Sequence, residues 1–226
     1  MMMKAVEPIS SLTLRTVTML EVASVVLSVL VAIWVVVPLY PGNRFLIALA
    51  ALGGVGLMIH SHRVRGETRG DLGFTSAHFW RAVKLVIGPT IIAAAILIAL
   101  GYWSGGLHLD DHFGRKLFFL PLWGVVQQYI LQGFIYRRLR TVIANHSLAM
   151  IFAAGLFAFV HLPNPALTIM TFVGGLIWTW VYERAPNLYA IGLSHGILSL
   201  TAMSTLPPWL LESLSVGYKH FLYQTF

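Results

Sequence analysis

Charged residues are scarce in this chain and cysteine is absent. Only 10% of the 226 residues are charged and 58% are hydrophobic, whereas about a quarter of an ordinary soluble domain is charged. The lack of cysteine excludes disulfides, thiolate zinc sites, thiol nucleophiles and S-palmitoylation. Several windows of roughly 17 to 25 residues carry no charge, which is the length needed to cross a bilayer. The composition therefore predicts an all-α, polytopic transmembrane helical bundle that forms a single membrane domain over residues 1–226.

The apolar runs predict about seven membrane spans, with six or eight as the alternatives. Charged residues, Pro or Gly bound each run. The first run is too long for the apolar region of a signal peptide, and the second and fifth are short enough to be tilted, kinked or partly re-entrant. The predicted spans are about Met19–Tyr40, Phe45–Ile59, Trp80–Trp103, Leu117–Tyr136, Leu148–Leu162, Ala166–Tyr182 and Leu188–Leu206.

The basic residues predict the orientation in the membrane. The formal net charge is +7, but Lys and Arg lie in short loops between apolar runs, so the charge indicates topology and not a nucleic-acid surface. Of the 15 Lys and Arg residues, eleven fall on the side of the N-terminus and four on the other. The positive-inside rule then predicts a cytoplasmic N-terminus.

Few polar side chains lie deep inside the predicted spans, and these are functional candidates because polar groups in hydrocarbon are costly. Three spans each carry a cluster, and we expect the clusters to meet in one cavity near the bilayer midplane. Gln128 and Gln132 share a helix face, whereas Gln127 points about 100° away. The clusters are Gln127, Gln128 and Gln132; Phe157, Phe159 and His161; and Ser194, His195 and Ser199.

Each cluster also has a structural explanation. Intramembrane amides hold helices together for about 1 kcal/mol or less each. His161, close to Pro163, fits a satisfied structural histidine, and Gly192 and Gly196 around His195 fit a Gly-x-x-x-Gly packing face. A metal site formed by the two histidines is disfavoured, because neither a His-x-x-x-His pair nor a carboxylate neighbour completes a ligand set.

Three segments resemble, in order and spacing, the motifs of the CPBP family, which contains the type II CAAX prenyl endopeptidases and the ABI, or bacteriocin-immunity, proteins. The family patterns are Glu-Glu-x-x-x-Arg, Phe-x-x-x-His and His-x-x-x-Asn or a similar polar residue. The matching segments are Gln127–Gly133, Phe157–His161 and His195–Ser199. The likeness covers about residues 117–200, which the resemblance identifies as a CAAX-protease-like core.

The resemblance implies an intramembrane endopeptidase that needs no metal or cofactor. In the family, the first Glu of motif one activates water, the motif-two His supports it, and motif three polarises the scissile carbonyl. By resemblance, the motif-one positions fall on Gln127, Gln128 and Gln132. The motif-two position falls on His161, and the motif-three positions fall on His195 and Ser199. The neighbouring binding positions fall on Phe157 and Phe159. This chain departs from the pattern, because a carboxamide accepts no proton near neutral pH and Gln127 cannot act as the general base.

The three glutamines are chemically consistent with one another. Changing only a Glu or only the Arg would leave an unpaired charge in hydrocarbon, whereas Gln128 and Gln132 can hydrogen-bond across one turn. We therefore expect a catalytically silent or altered CPBP relative, a pseudoenzyme that binds membrane or lipidated peptides in the lipid bilayer. The alternatives are an active CAAX-type endopeptidase that uses His161 and His195, and a lipid or small-molecule carrier. No nucleic-acid partner is expected, and the expected location is a bacterial or archaeal inner (cell) membrane.

Overall fold

Long apolar helices make up most of the protein. The computed structural model describes residues 11–40, 43–109, 112–211 and 214–223, and every regular element in these ranges is helical. Within them, five helical segments are long and apolar enough to cross a membrane. The segments are Thr13–Leu39, Phe45–Val64, Phe79–Ser104, Phe113–Val142 and Pro165–Arg184. The chain is therefore an integral membrane protein with an all-helical fold, as the composition predicts.

The helices follow the order of the predicted spans. Two other predicted spans coincide with α7, which has 14 residues, and α9, which has 18, so the count of seven spans stays a prediction. Two π-helical segments, Ala32–Val36 and Tyr129–Tyr136, join α1 to α2 and α5 to α6. The helices are α1 (Ser11–Val31), α2 (Val37–Leu39), α3 (Arg44–Val64), α4 (Phe79–Ser104), α5 (Phe113–Gln128), α6 (Arg137–Val142), α7 (His146–Phe159), α8 (Pro165–Arg184), α9 (Leu188–Thr205), α10 (Pro208–Leu211) and α11 (Tyr218–Tyr223).

The outer faces of the bundle are apolar. Trp80 is 72% exposed, Phe118 76%, Leu122 69% and Ile169 65%. Such surfaces would be unfavourable in water, and a bilayer supplies the apolar surroundings that they need.

Asparagine begins four of the helices. Asn43, Asn145, Asn164 and Asn187 each accept a hydrogen bond on Oδ1 from a backbone N–H three residues on, at 3.0 to 3.2 Å. This bond satisfies one of the N–H groups that have no partner inside the helix. Three of these caps fix the starts of α7, α8 and α9. Most of the candidate site lies on these three helices or beside them.

Glycines bring α5 and α9 into backbone contact. A Cβ on Gly196 would lie 2.5 Å from Cα of Pro121, and a Cβ on Gly192 would lie 2.7 Å from Cα of Val125. The Gly-x-x-x-Gly packing face suggested by the sequence is therefore present. This contact also fixes the position of His195, which lies on α9, relative to the glutamines at the end of α5 and in the π-helical segment after it.

The loop between α3 and α4 is fastened to the start of α9. The backbone N–H of Leu188 donates to the carbonyl of Gly73 at 2.9 Å, and Nδ2 of Asn187 donates to the carbonyl of Thr75 at 2.6 Å. Gly73 has φ +90°, and a Cβ there would lie 3.3 Å from the Leu188 backbone N, so both conformation and space favour glycine.

One end of the bundle holds a buried cluster of charges. Arg138 is 1% exposed and pairs with Glu67 at 2.7 Å and with Glu21 at 3.3 Å. Burial raises the pKa of Glu67, but hydrogen bonds from Arg138, His62 and Arg137 outweigh it and lower the pKa from its usual 4.5 to about 2. The sequence indicates only topogenic charge at Arg137 and Arg138, whereas the fold gives both of them carboxylate partners. The cluster thereby ties α1 and the loop after α3 to α6.

Candidate functional site

Polar residues from all three motifs converge on one cavity. The cavity has a volume of about 630 Å³ and lies between α4, α5, α8 and α9, with the turn after α7 at one side. Gln127, His161, His195 and Ser199 line it. The rest of the lining is mainly apolar, and among the described residues that form it none is Asp, Glu, Lys or Arg. Apolar cavities of this size with a few polar groups are typical ligand sites.

Gln128 and Gln132 lie behind the cavity wall in one chain of hydrogen bonds. Both are 0% exposed. Nε2 of Gln132 donates to Oε1 of Gln128 at 3.3 Å and to Oγ1 of Thr179 at 3.0 Å. Nε2 of Gln128 lies 3.2 Å from Nδ1 of His195. The chain thus links α8, the π-helical segment, α5 and α9 through neutral groups.

The change from α-helix to π-helix after Gln128 sets the direction of Gln132. In a π-helix, four residues complete slightly less than one turn, so Gln132 returns close above Gln128. Gly133 accommodates the altered backbone, because a Cβ there would lie 2.8 Å from the ring of Tyr129. π-helical turns are frequent at functional sites.

His161 presents one ring nitrogen to a backbone carbonyl. Its Nδ1 lies 2.6 Å from the carbonyl oxygen of Phe157. Because a carbonyl only accepts, Nδ1 carries the hydrogen, and Nε2 of the neutral ring is an acceptor. Nε2 has no hydrogen-bond partner within the described part of the chain. The Phe157 ring packs edge-on against both imidazoles, with ring centroids 4.7 Å from His161 and 5.9 Å from His195.

Trp178 stacks on His195 and holds the plane of its ring. The two ring centroids lie 4.4 Å apart at an interplanar angle of 21°. The indole N–H donates to Oγ of Ser194 at 3.1 Å. The hydroxyl of Thr90 donates to the carbonyl of Val86 at 2.7 Å, so Ser194 in turn donates to Oγ1 of Thr90, also at 2.7 Å. Polar groups on α4, α8 and α9 thereby orient the ring.

Seven of the eight predicted site residues lie at the cavity or directly behind its wall, and Phe159 does not. Phe159 is 48% exposed and lines a separate apolar groove against α1. Sequence reasoning missed Thr90, Trp178 and Thr179. The signal for the two threonines was available, because a hydroxyl inside a membrane span needs a partner for the same reason as an amide. No comparable signal marked Trp178.

The site offers neutral hydrogen-bonding groups. The carboxamide of Gln127 provides donors and an acceptor and has no protein partner among the described residues. In the described ranges, no group of three or more His, Asp or Glu side chains is arranged to hold a metal ion. Of the two imidazoles at the cavity, that of His161 offers an unprotonated ring nitrogen, its Nε2.

The fold and the site define an integral membrane protein with an uncharged polar centre inside a helical bundle. Residues 112–201 match the model of a known family, described as Type II CAAX prenyl endopeptidase Rce1-like. The match includes all eight predicted site residues and confirms the resemblance to the CPBP family over this segment of the chain. No curated protein and no solved structure matches the chain significantly.

Proposed function

We propose that the cavity binds an uncharged segment of a membrane or lipidated peptide and holds it without cutting it. The observation that carries this proposal is the neutral amide chain at the motif-one positions, Gln128 and Gln132, beside a cavity that has no carboxylate among the described residues of its lining. A peptide group is neutral and has both a donor and an acceptor. It can therefore enter such a site without burying a charge.

The accessibility of the cavity supports a ligand that arrives from the bilayer. Ile96, Trp123 and Ile169 line the cavity and are also 55%, 45% and 65% exposed on the outer face of the bundle. A lipid chain or an apolar side chain can therefore follow these surfaces from the hydrocarbon to the polar end. Gln127, which lines the cavity and has no partner in the described part of the chain, is the group best suited to bind the ligand's backbone.

The test uses the full chain in lipid nanodiscs with a farnesylated, photoreactive peptide and an unmodified peptide of the same sequence. We expect cross-linking to the protein with no change in peptide mass. Gln127→Ala and His195→Ala should each weaken binding about fivefold, because one neutral hydrogen bond contributes about 1 kcal/mol. Mass spectrometry measures both the cross-link yield and the peptide length.

Two variants serve as matched controls. His60→Ala removes an exposed histidine, and Leu122→Ala removes a side chain on the lipid-facing side of α5. Both should bind as the wild type does. Equal binding by all four variants, or a cleaved peptide whose formation stops in His195→Ala, would refute the proposal. Competition by free lipid alone, with no dependence on the peptide, would instead support the carrier alternative.

One observation favours a second function, which is peptide hydrolysis with an imidazole as the base. Nε2 of His161 is an acceptor without a partner among the described residues, and His161 lines the same cavity as His195. In this reaction a water O–H gives its proton to Nε2 while its oxygen attacks the peptide carbonyl carbon. The C–N bond then breaks as the imidazolium returns the proton to the leaving nitrogen. The carbonyl of Phe157 supports the ring, although less strongly than a carboxylate would.

Hydrolysis predicts a peptide fragment that forms with the wild type and with His60→Ala but not with His161→Ala. The same nanodisc samples and mass spectrometry detect it. Identical peptide masses for wild type and His161→Ala after prolonged incubation would eliminate this second function.

A further inference from the structure

We propose that Thr179 and Gln132 are positioning residues that fix the proton of His195 on Nε2, so that this imidazole presents a hydrogen-bond donor to the cavity. A chain of hydrogen bonds leads to His195, and in each of these bonds the donor and the acceptor are fixed. The order is Gly175 carbonyl, Thr179, Gln132, Gln128 and His195.

The chain begins at a carbonyl that can only accept. Oγ1 of Thr179 lies 2.6 Å from the carbonyl oxygen of Gly175. Two oxygens approach this closely only with a hydrogen between them, and the carbonyl has none. The Thr179 hydroxyl hydrogen is therefore used inside α8, and Oγ1 faces Gln132 as an acceptor.

This acceptor determines the orientation of both amides. Gln132 must turn its NH₂ group toward Thr179, and the second hydrogen of the same NH₂ reaches Oε1 of Gln128. The carbonyl of Gln128 thus points to Gln132, and its NH₂ points to Nδ1 of His195. Amide orientation is assigned from the network of partners, and here the acceptor of Thr179 fixes it, while Oε1 of Gln132 is left without a partner among the described residues.

The last step defines the tautomer of His195. An amide nitrogen donates and does not accept, so Nδ1 must be unprotonated and the proton of the neutral ring must lie on Nε2. Trp178 stacks on the ring face and Phe157 packs against it edge-on, so the ring cannot rotate freely. Nε2 has no hydrogen-bond partner within the described ranges.

The two histidines then have opposite polarity toward the cavity. His161 offers the acceptor Nε2, because its Nδ1 donates to the Phe157 carbonyl, and His195 offers the donor N–H. This pair complements the N–H and C=O of a peptide group. The choice of ligand rests on the proposed function, whereas the position of the proton does not.

The experiment is ¹⁵N NMR of the full chain in nanodiscs, with labelled histidine and no ligand. The protonated and unprotonated ring nitrogens give separate signals, and those of His195 are identified by their loss in His195→Gln. We expect a single His195 tautomer in the wild type, with the proton on Nε2. Thr179→Val frees both amides to turn over, so a second tautomer should appear, and Thr179→Ser should restore the single one.

Thr168→Val is the matched control, because Thr168 is on the same helix and donates to the Asn164 carbonyl at 2.7 Å but has no part in the chain. It should leave the His195 signals unchanged. If Thr179→Val does not fold, Gln132→Met interrupts the same chain with a side chain of similar size. A proton on Nδ1 of His195 in the wild type would overturn the proposal. A folded Thr179→Val or Gln132→Met variant with the same His195 signals as the wild type would also overturn it. Absence of peptide binding would refute the proposed function and leave these spectra unaffected.

Discussion

Replacing Gly196 by alanine should destabilise the protein by forcing α9 away from α5. The new Cβ would lie 2.5 Å from both Cα and N of Pro121 and 2.8 Å from the carbonyl carbon of Leu120. These are backbone atoms, which cannot rotate out of the way as a flexible side chain can. Carbon atoms in contact lie about 3.5–4.0 Å apart, so α9 must retreat by roughly 1 Å.

The expected loss follows from this overlap. Overpacking a close contact costs about 1–3 kcal/mol, which corresponds to a fall in Tm of about 2–12 °C for a chain of this size. The same retreat lengthens the 3.2 Å contact between Gln128 and His195 beyond hydrogen-bond distance. Peptide binding should therefore weaken together with stability.

Gly155→Ala is the matched control, because Gly155 lies inside α7 and a Cβ there meets no atom within 4 Å. Alanine favours the helix by up to about 1 kcal/mol over glycine, so this variant should be as stable as the wild type or more stable. Thermal unfolding in detergent, followed by the fluorescence of the seven tryptophans, compares the two. A Gly196→Ala variant at least as stable as the wild type would refute the packing argument.

Two further predictions concern charge. Glu67→Gln should cost about 3–5 kcal/mol, because it leaves the buried Arg138 without its nearest carboxylate, and Asp71→Asn in the same loop is the exposed control. The pKa of Glu67 is lowered to about 2, so its stabilising effect is fully present above the usual pKa of 4.5 and should disappear as the pH falls from about 4.5 through about 2. Unfolding titrations of the wild type and Glu67→Gln measure this effect as a difference in stability. A difference that stays constant over this pH range would contradict the assignment. Gln128→Glu and Gln132→Arg should each destabilise the protein alone. In a double-mutant cycle the double variant should recover at least about 1 kcal/mol of the free energy of unfolding, because the two charges pair. If the two losses of stability simply add, the charges do not pair.

The helices and the convergence of the three motifs could be predicted from the sequence, because both depend on patterns along the chain. Apolar length located the five segments that are long and apolar enough to cross a membrane, and the four-residue spacing of Gln128 and Gln132 predicted a contact that the structure has at 3.3 Å. Polar residues in hydrocarbon need partners, so the clusters could be expected to meet.

What the sequence did not provide depends on contacts between distant segments. Thr179 reaches Gln132 from another helix, and the π-helical segment that directs Gln132 has no simple sequence pattern. The same limit applies to Phe159, which lies two residues from Phe157 but on a different face of α7. The sequence alone indicates a topogenic role for Arg138, because its partner Glu67 is 71 positions away.

The three glutamines have different physical roles, so their variants test different things. Gln128 and Gln132 are fully buried and bonded to protein groups, so changing either alters the network that holds His195 as well as any ligand site. Gln127 lines the cavity and has no protein partner in the described ranges, so its amide contributes little to the fold. A loss of binding in Gln127→Ala at unchanged stability therefore measures contact with the ligand. The same loss in a Gln128 or Gln132 variant measures the support behind the site.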